Sequence, residues 1–173
     1  MMLYVVRHGQ TDANVNHLWN GINDGDLTDF GVEQARIAAS RLESTHIDRI
    51  VASPLVRTLH TADILNIAGL PIRTDERLLD RDYGELTLKP SKTLTQDERP
   101  LLYEHGAGSI KGIESWDSLF DRVRDFVEDM RRRHSQEDIL VVTHGDCARA
   151  IQELLTGETE NYQQTAEVRS FEL

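Results

Sequence analysis

The sequence predicts an α/β fold: a three-layer α/β/α sandwich around a mostly parallel sheet. Three observations predict it. Strand-like and helix-like segments alternate along the chain. The two strongest apolar runs, Leu3-Tyr4-Val5-Val6 and Ile139-Leu140-Val141-Val142, lack polar alternation. Strands of this kind are buried on both faces, as in a parallel sheet covered by helices. Each run passes into a polar tripeptide, Arg7-His8-Gly9 or Thr143-His144-Gly145. Those tripeptides stand at carboxyl ends of strands, where open α/β sheets bind ligands.

The elements follow in order. Leu3 to Arg7 reads as the first strand, and a polar loop rich in Asn and Gly runs from Gln10 to Asp26. Thr28 is placed to cap a helix whose inner stripe is Val32, Ala35, Ala38, Ala39 and Leu42. Ile47 to Ala52 is the second strand. Pro54 suits the first turn of the next helix and Gly69 its end, with Leu55, Leu59, Ala62 and Leu65 inward. A short strand is expected around Ile72. Residues 86–113 show no clean period and read as a long loop or lid with room for one short helix. Ser115 caps the clearest helix, in which Trp116, Leu119, Phe120, Val123, Phe126, Val127 and Met130 recur at helical spacing. Asp138 to Thr143 is a strand, Cys147 to Leu155 a short helix, and Val168 to Leu173 a last strand.

The 173 residues fit a single domain, 1–173, with no linker, repeat or low-complexity tract. No apolar run reaches the ~20 residues of a membrane span, and the N-terminus does not read as a signal peptide. The single cysteine, Cys147, fits a reducing, cytoplasmic setting. A net charge of −11 argues against nucleic acid as a partner. It does not forbid an anionic substrate, because distant charges are screened beyond roughly 8 Å. Convergent arginines can set the local field.

The strand ends offer such convergence. Arg7 and His8 leave the first strand, Arg57 lies one turn into the helix after the second, and His144 leaves the late strand. A phosphoryl group needs charge-assisted donors, preferably guanidinium forks. A neutral imidazole can attack it when the other ring nitrogen is held in one tautomer. A leaving alkoxide needs a proton, and Asp80-Arg81-Asp82-Tyr83-Gly84 supplies carboxylates.

Arg7-His8-Gly9-Gln10-Thr11 with Asn14 resembles the signature of the histidine phosphatase superfamily, the phosphoglycerate mutase-like proteins. Further segments match in order: Leu27-Thr28 with Gly31, Ser53-Pro54-Leu55 with Arg57-Thr58, Arg77 to Arg81 with Tyr83-Gly84, Glu114-Ser115-Trp116, and Val142 to Gly145. The resemblance implies a phosphoglycerate mutase-like sandwich and a phosphomonoesterase acting on a small phosphorylated metabolite. It implies that His8 is the phosphorylated nucleophile. Arg7, Asn14, Arg57 and His144 would bind the phosphoryl oxygens, Asp80 would be the acid, and Arg81 and Tyr83 would face the rest of the substrate. No cofactor or metal is expected.

Two departures stand out. The acid position usually holds glutamate in this branch and here holds Asp80, leaving Asp82 as an alternative acid. The segment Gly84-Glu85-Leu86-Thr87-Leu88 lacks the family's usual second glycine. Two other activities remain open: phosphoglycerate mutase-type transfer, suggested by Arg81 and Tyr83, and a catalytically weak phosphate-binding module, suggested by Asp80. Lys89, Lys92 and Lys111 would make the lid mildly basic and favour multiply charged phosphates. A cysteine phosphatase is excluded because the arginine it needs is replaced by Glu153. Cys147 is therefore expected to be a buried small residue. The histidines at 17, 46, 60, 105 and 134 are expected on the surface, with His105 a lid contact at most.

Overall fold

The computed structural model describes residues 1–158 and 162–173. Among these residues five strands form one sheet: β1 (Met2–Arg7), β2 (Arg49–Ala52), β3 (Ile72–Thr74), β4 (Ile139–Thr143) and β5 (Val168–Glu172). Their order is β3-β2-β4-β1-β5. β1–β4, β2–β4 and β2–β3 pair in parallel, and β5 closes the β1 edge antiparallel. Side-chain alternation on these strands builds two cores. Leu3, Val5, Val51, Ile139 and Val141 face one side, and Val6, Ile50, Ala52, Leu140 and Val142 the other.

Among the described residues six helices accompany the sheet: α1 (Asp12–Val15), α2 (Asp29–Leu42), α3 (Val56–Leu65), α4 (Glu98–Leu101), α5 (Trp116–Arg133) and α6 (Gly145–Thr156). α5 and α6 cover the first face, and α2 and α3 the second. The expected three layers are therefore present. Caps set the boundaries. Thr28 Oγ1 accepts from the Gly31 N–H at 3.0 Å, and Ser115 Oγ from the Ser118 N–H at 3.2 Å. α3 starts later than Pro54 because Leu55 is still extended, with φ −72° and ψ 143°. α6 starts earlier than Cys147, directly after His144.

Residues 86–113 hold short turns and one short helix. Short 3₁₀ turns at Gly84–Leu86 and Ser91–Thr93, then α4, fold over a small third core of Tyr83, Leu86, Leu94, Leu102 and Ile113. Trp19 and Tyr103 pack against it. Aperiodic spacing hides this core because each short turn contributes only one or two apolar side chains. Among the described residues no helix is long and apolar enough to cross a membrane.

Candidate active site

Arg7 ends β1, and His8 and Gly9 begin the loop beyond it. His8 N–H donates to the Thr143 carbonyl at 2.9 Å, so the first histidine is registered against the β4 end. Gly9 lies against α2. A Cβ at Gly9 would stand 2.4 Å from the Gly31 oxygen, and one at Gly31 would stand 2.2 Å from the Gln10 oxygen. This close approach fixes the loop that presents His8.

His8 Nδ1 lies 2.7 Å from the Gly9 carbonyl. A carbonyl only accepts, so Nδ1 carries the proton and Nε2 holds a lone pair. Burial, then the charges of Arg7 and Arg57, hold the imidazole well below its usual pKa, and it is neutral. The His144 ring stands edge-on to it, with centroids 5.3 Å apart. His144 pairs through Nε2 with Ser53 Oγ at 2.8 Å, and its buried Nδ1 has no hydrogen-bond partner. Burial first and Arg57 second keep His144 neutral as well.

Asp80 joins the pair. Its Oδ2 lies 3.2 Å from Arg57 Nη2 and 3.7 Å from His144 Nδ1, while Oδ1 accepts from the Arg81 N–H at 2.9 Å. Burial pushes its pKa up to about 6; Arg57 moderates the rise and Asp146 adds to it. Arg57 is fully buried and donates to the carbonyls of Asn23 at 2.8 Å and Gly21 at 2.6 Å. Gly21 takes φ +55°, and a Cβ there would stand 2.8 Å from the Arg81 oxygen.

A cavity of about 420 Å³ opens over these groups, walled by Arg7, His8, Asn14, Asp80, Tyr83 and Asp146 among others. Arg57 and His144 have no exposed surface, and Asp80, in contact with both, reaches the wall. Arg7 Nη1 donates to the Gln163 carbonyl at 2.9 Å, and its guanidinium stacks on Tyr162 at 4.5 Å. Asn14 forms a capping box with Thr11 at the start of α1, and lines the cavity.

Arg81 is not brought to the wall. It is 1 % exposed, with Nε donating to the Glu114 carbonyl at 2.7 Å. Tyr83 does line the cavity, but its hydroxyl donates to Asp146 at 2.9 Å. Asp82, the alternative acid, turns elsewhere. Its Oδ1 accepts from the Gly84 N–H at 2.8 Å, and it is not part of this cavity. The lid lysines are also elsewhere: Lys111 pairs with Glu98 at 2.7 Å, and Lys89 and Lys92 are exposed away from the wall. Cys147 is fully buried, as its small-residue reading expects.

Several residues of the site escaped sequence reasoning. Ser53 was visible only as part of a motif, and its bond to His144 is tertiary. His17 was expected on the surface; it is exposed, yet lines the cavity. His60 and His134 are half-buried, and His105 bridges Asp117 and Glu153. Asp146 holds Tyr83, approaches Arg81 at 3.7 Å and accepts from Tyr103 at 3.3 Å. Arg122 on α5 donates to the carbonyls of Arg77, Leu79 and Asp80 at 2.7, 2.8 and 3.2 Å, and grips Glu114 at 2.9 Å. An arginine on a helix face carries no local signal of such a role.

Two neutral histidines, two arginines and a carboxyl at five chain positions thus meet at the strand ends. The chain belongs to the histidine phosphatase superfamily, branch 1, whose family model matches residues 3–170. It is 32 % identical over 160 residues to phosphoserine phosphatase 1 of Hydrogenobacter thermophilus, across 90 % of this chain and 76 % of that protein. It is 33 % identical over 150 residues to a probable phosphoglycerate mutase of Photorhabdus laumondii, across 84 % and 70 %. In structure it resembles a mycobacterial glucosyl-3-phosphoglycerate phosphatase complexed with VO3, with TM-score 0.87, 26 % identity and coverage of 98 % and 91 %. The chain is a small-molecule phosphatase, a phosphoric monoester hydrolase of this family.

Proposed function

We propose that hydrolysis runs through a phosphohistidine at His8, with Asp80 as the acid and base. The observation that carries this reading is the state of His8. Its Nδ1–H is tied to Gly9, its ring is neutral, and no hydrogen bond among the described residues engages Nε2 on the cavity wall. Such an imidazole is a nucleophile in a defined tautomer.

The Nε2 lone pair forms a bond to phosphorus as the ester P–O bond breaks in line. The leaving alkoxide takes the proton of the Asp80 carboxyl and departs as an alcohol. Water then attacks the phosphorus of phosphohistidine and gives a proton to the Asp80 carboxylate. The N–P bond breaks, inorganic phosphate leaves, and His8 is again neutral. Arg7 meets the phosphoryl oxygens, and Asn14 stands beside them. Arg57 and His144 act from the buried side, on Asp80 and on the field around the phosphoryl group. A carboxyl titrating at about 6 suits both duties, because each form is populated near neutral pH.

His8→Ala should lower phosphate release by roughly 10³-fold or more. It should also remove an acid-labile, base-stable phosphoprotein from wild-type protein quenched during turnover. Turnover near the wild-type rate in this variant would end the proposal. Comparing phosphate release with phosphoglycerate interconversion separates hydrolysis from mutase transfer: release is expected to be the faster.

A further inference from the structure

Resting on the phosphatase reading above, we infer that the site selects phosphomonoesters with an uncharged, hydroxylated leaving group and rejects those with a carboxylate. The Asp146–Arg81 pair decides this selection.

A leaving-group carboxylate needs a cation on the wall. Arg81 is the arginine nearest in sequence to the acid, and it is withdrawn. Beside its bond to Glu114, it lies 3.7 Å from Asp146 Oδ2, with its guanidinium carbon 5.9 Å from the Tyr103 ring and 5.8 Å from the Trp116 ring. The wall itself carries Asp146, the second residue of α6. Asp146 Oδ2 also accepts a hydrogen bond from the Tyr83 hydroxyl at 2.9 Å, so that phenol is committed inward too. A substrate carboxylate placed here would meet a like charge in a partly desolvated pocket. Juxtaposed like charges are how a site excludes a competing ligand.

No other strong cation compensates. Arg149 stacks on Tyr103 at 4.0 Å, and Lys111 is held by Glu98. Among the described residues of the wall, the one group besides Arg7 and His8 that can carry positive charge is His17, an exposed imidazole. None of residues 159–161 is basic. Asp146 and His17 aside, what the wall offers beyond the phosphoryl site is neutral: Gln10, Asn20, Ser91, Gln164, Thr165 and the Trp19 indole. The Trp19 Nε1–H is buried without a partner. Amides, hydroxyls and an indole recognise hydroxyl groups and bodies of sugar or polyol type.

The test compares glycerol 3-phosphate with 3-phosphoglycerate, which differ only by a hydroxymethyl in place of the carboxylate. Wild-type kcat/KM should favour glycerol 3-phosphate by at least tenfold. A ratio at or below one would overturn the inference. Asp146→Asn should narrow the ratio at least threefold, and an unchanged ratio would remove Asp146 from the assignment. Arg81→Lys should affect both esters alike, whereas loss confined to 3-phosphoglycerate would show Arg81 reaching the substrate and refute the proposal. Calorimetric binding of the two esters to wild-type protein reads the same preference without turnover. Failure to release phosphate from either ester therefore strikes the phosphatase reading, and the binding ratio still decides the selection.

Discussion

At the residue scale, Asp80 carries two opposed demands. Its folded pKa of about 6 lies above the ordinary aspartate value, so the ionised form is disfavoured in the folded state. Below the unfolded pKa this group takes nothing from stability. Between that value and about 6 the cost of ionising it grows, and above about 6 it is fully present. Asp80→Asn should therefore raise stability at pH 8 by up to about 3 kcal/mol, seen as a higher thermal midpoint. It should not change stability at pH 4. The same variant should lose most turnover of alkyl phosphates. In the wild type, kcat/KM should fall as pH rises through about 6, and that limb should vanish in Asp80→Asn. A variant both less stable at pH 8 and fully active would contradict the role given to this carboxyl.

At the element scale, the acid segment is held from both sides. Thr143 Oγ1 at the end of β4 donates to the Leu78 carbonyl at 2.9 Å, and Cys147 Sγ in α6 to the Leu79 carbonyl at 3.0 Å. Arg122 in α5 grips the carbonyls of Arg77, Leu79 and Asp80, and pairs with Glu114. α5 therefore packs the core with one face and fastens the acid with the next turn's edge. Arg122→Met takes the donor from the carbonyls of Arg77 and Asp80, one of two donors from that of Leu79, and the partner from Glu114, and should cost about 3 kcal/mol. Because the acid then drifts, alkyl phosphates should lose roughly 10- to 100-fold in kcat, as part of the 10²–10⁴ that acid catalysis supplies. p-Nitrophenyl phosphate, whose leaving group needs no proton, should lose far less. Equal losses on both substrates would mean that Arg122 merely supports the fold. The α-helical period of Trp116 to Met130 revealed the core face of α5, but not this grip, because charged residues on the flank of a helix look alike in sequence.

At the scale of the whole molecule, parallel strands deliver the site, and burial sets its protonation. His8 and His144 have folded pKa values held well below those of the unfolded chain. Their stabilisation is complete above about 6.5 and is lost as pH falls below it, because the unfolded state binds the protons first. The thermal midpoint should fall from pH 7 to pH 5. The fall should be steeper in Asp80→Asn, where the opposing carboxyl is gone, and shallower in His144→Gln. An acid-insensitive midpoint in all three proteins would contradict neutral burial of the histidines. The same scale shows what the chain discloses in one dimension. Unalternating apolar runs at Leu3–Val6 and Ile139–Val142 require a two-faced sheet, and the sheet requires that Arg7, His8 and His144 share one edge. Those facts follow from local pattern, because hydrophobic burial acts on every residue of a run. Whether Arg81 faces substrate does not follow. Its direction depends on Asp146, Glu114, Tyr103 and Trp116, four groups up to 65 positions away. The small core beneath residues 86–113 depends likewise on scattered contacts. The sequence by itself determined the sheet, the helix stripes and the paired histidines. Only the tertiary structure decided which charges reach the cavity, because a charged side chain goes where distant partners offset its desolvation.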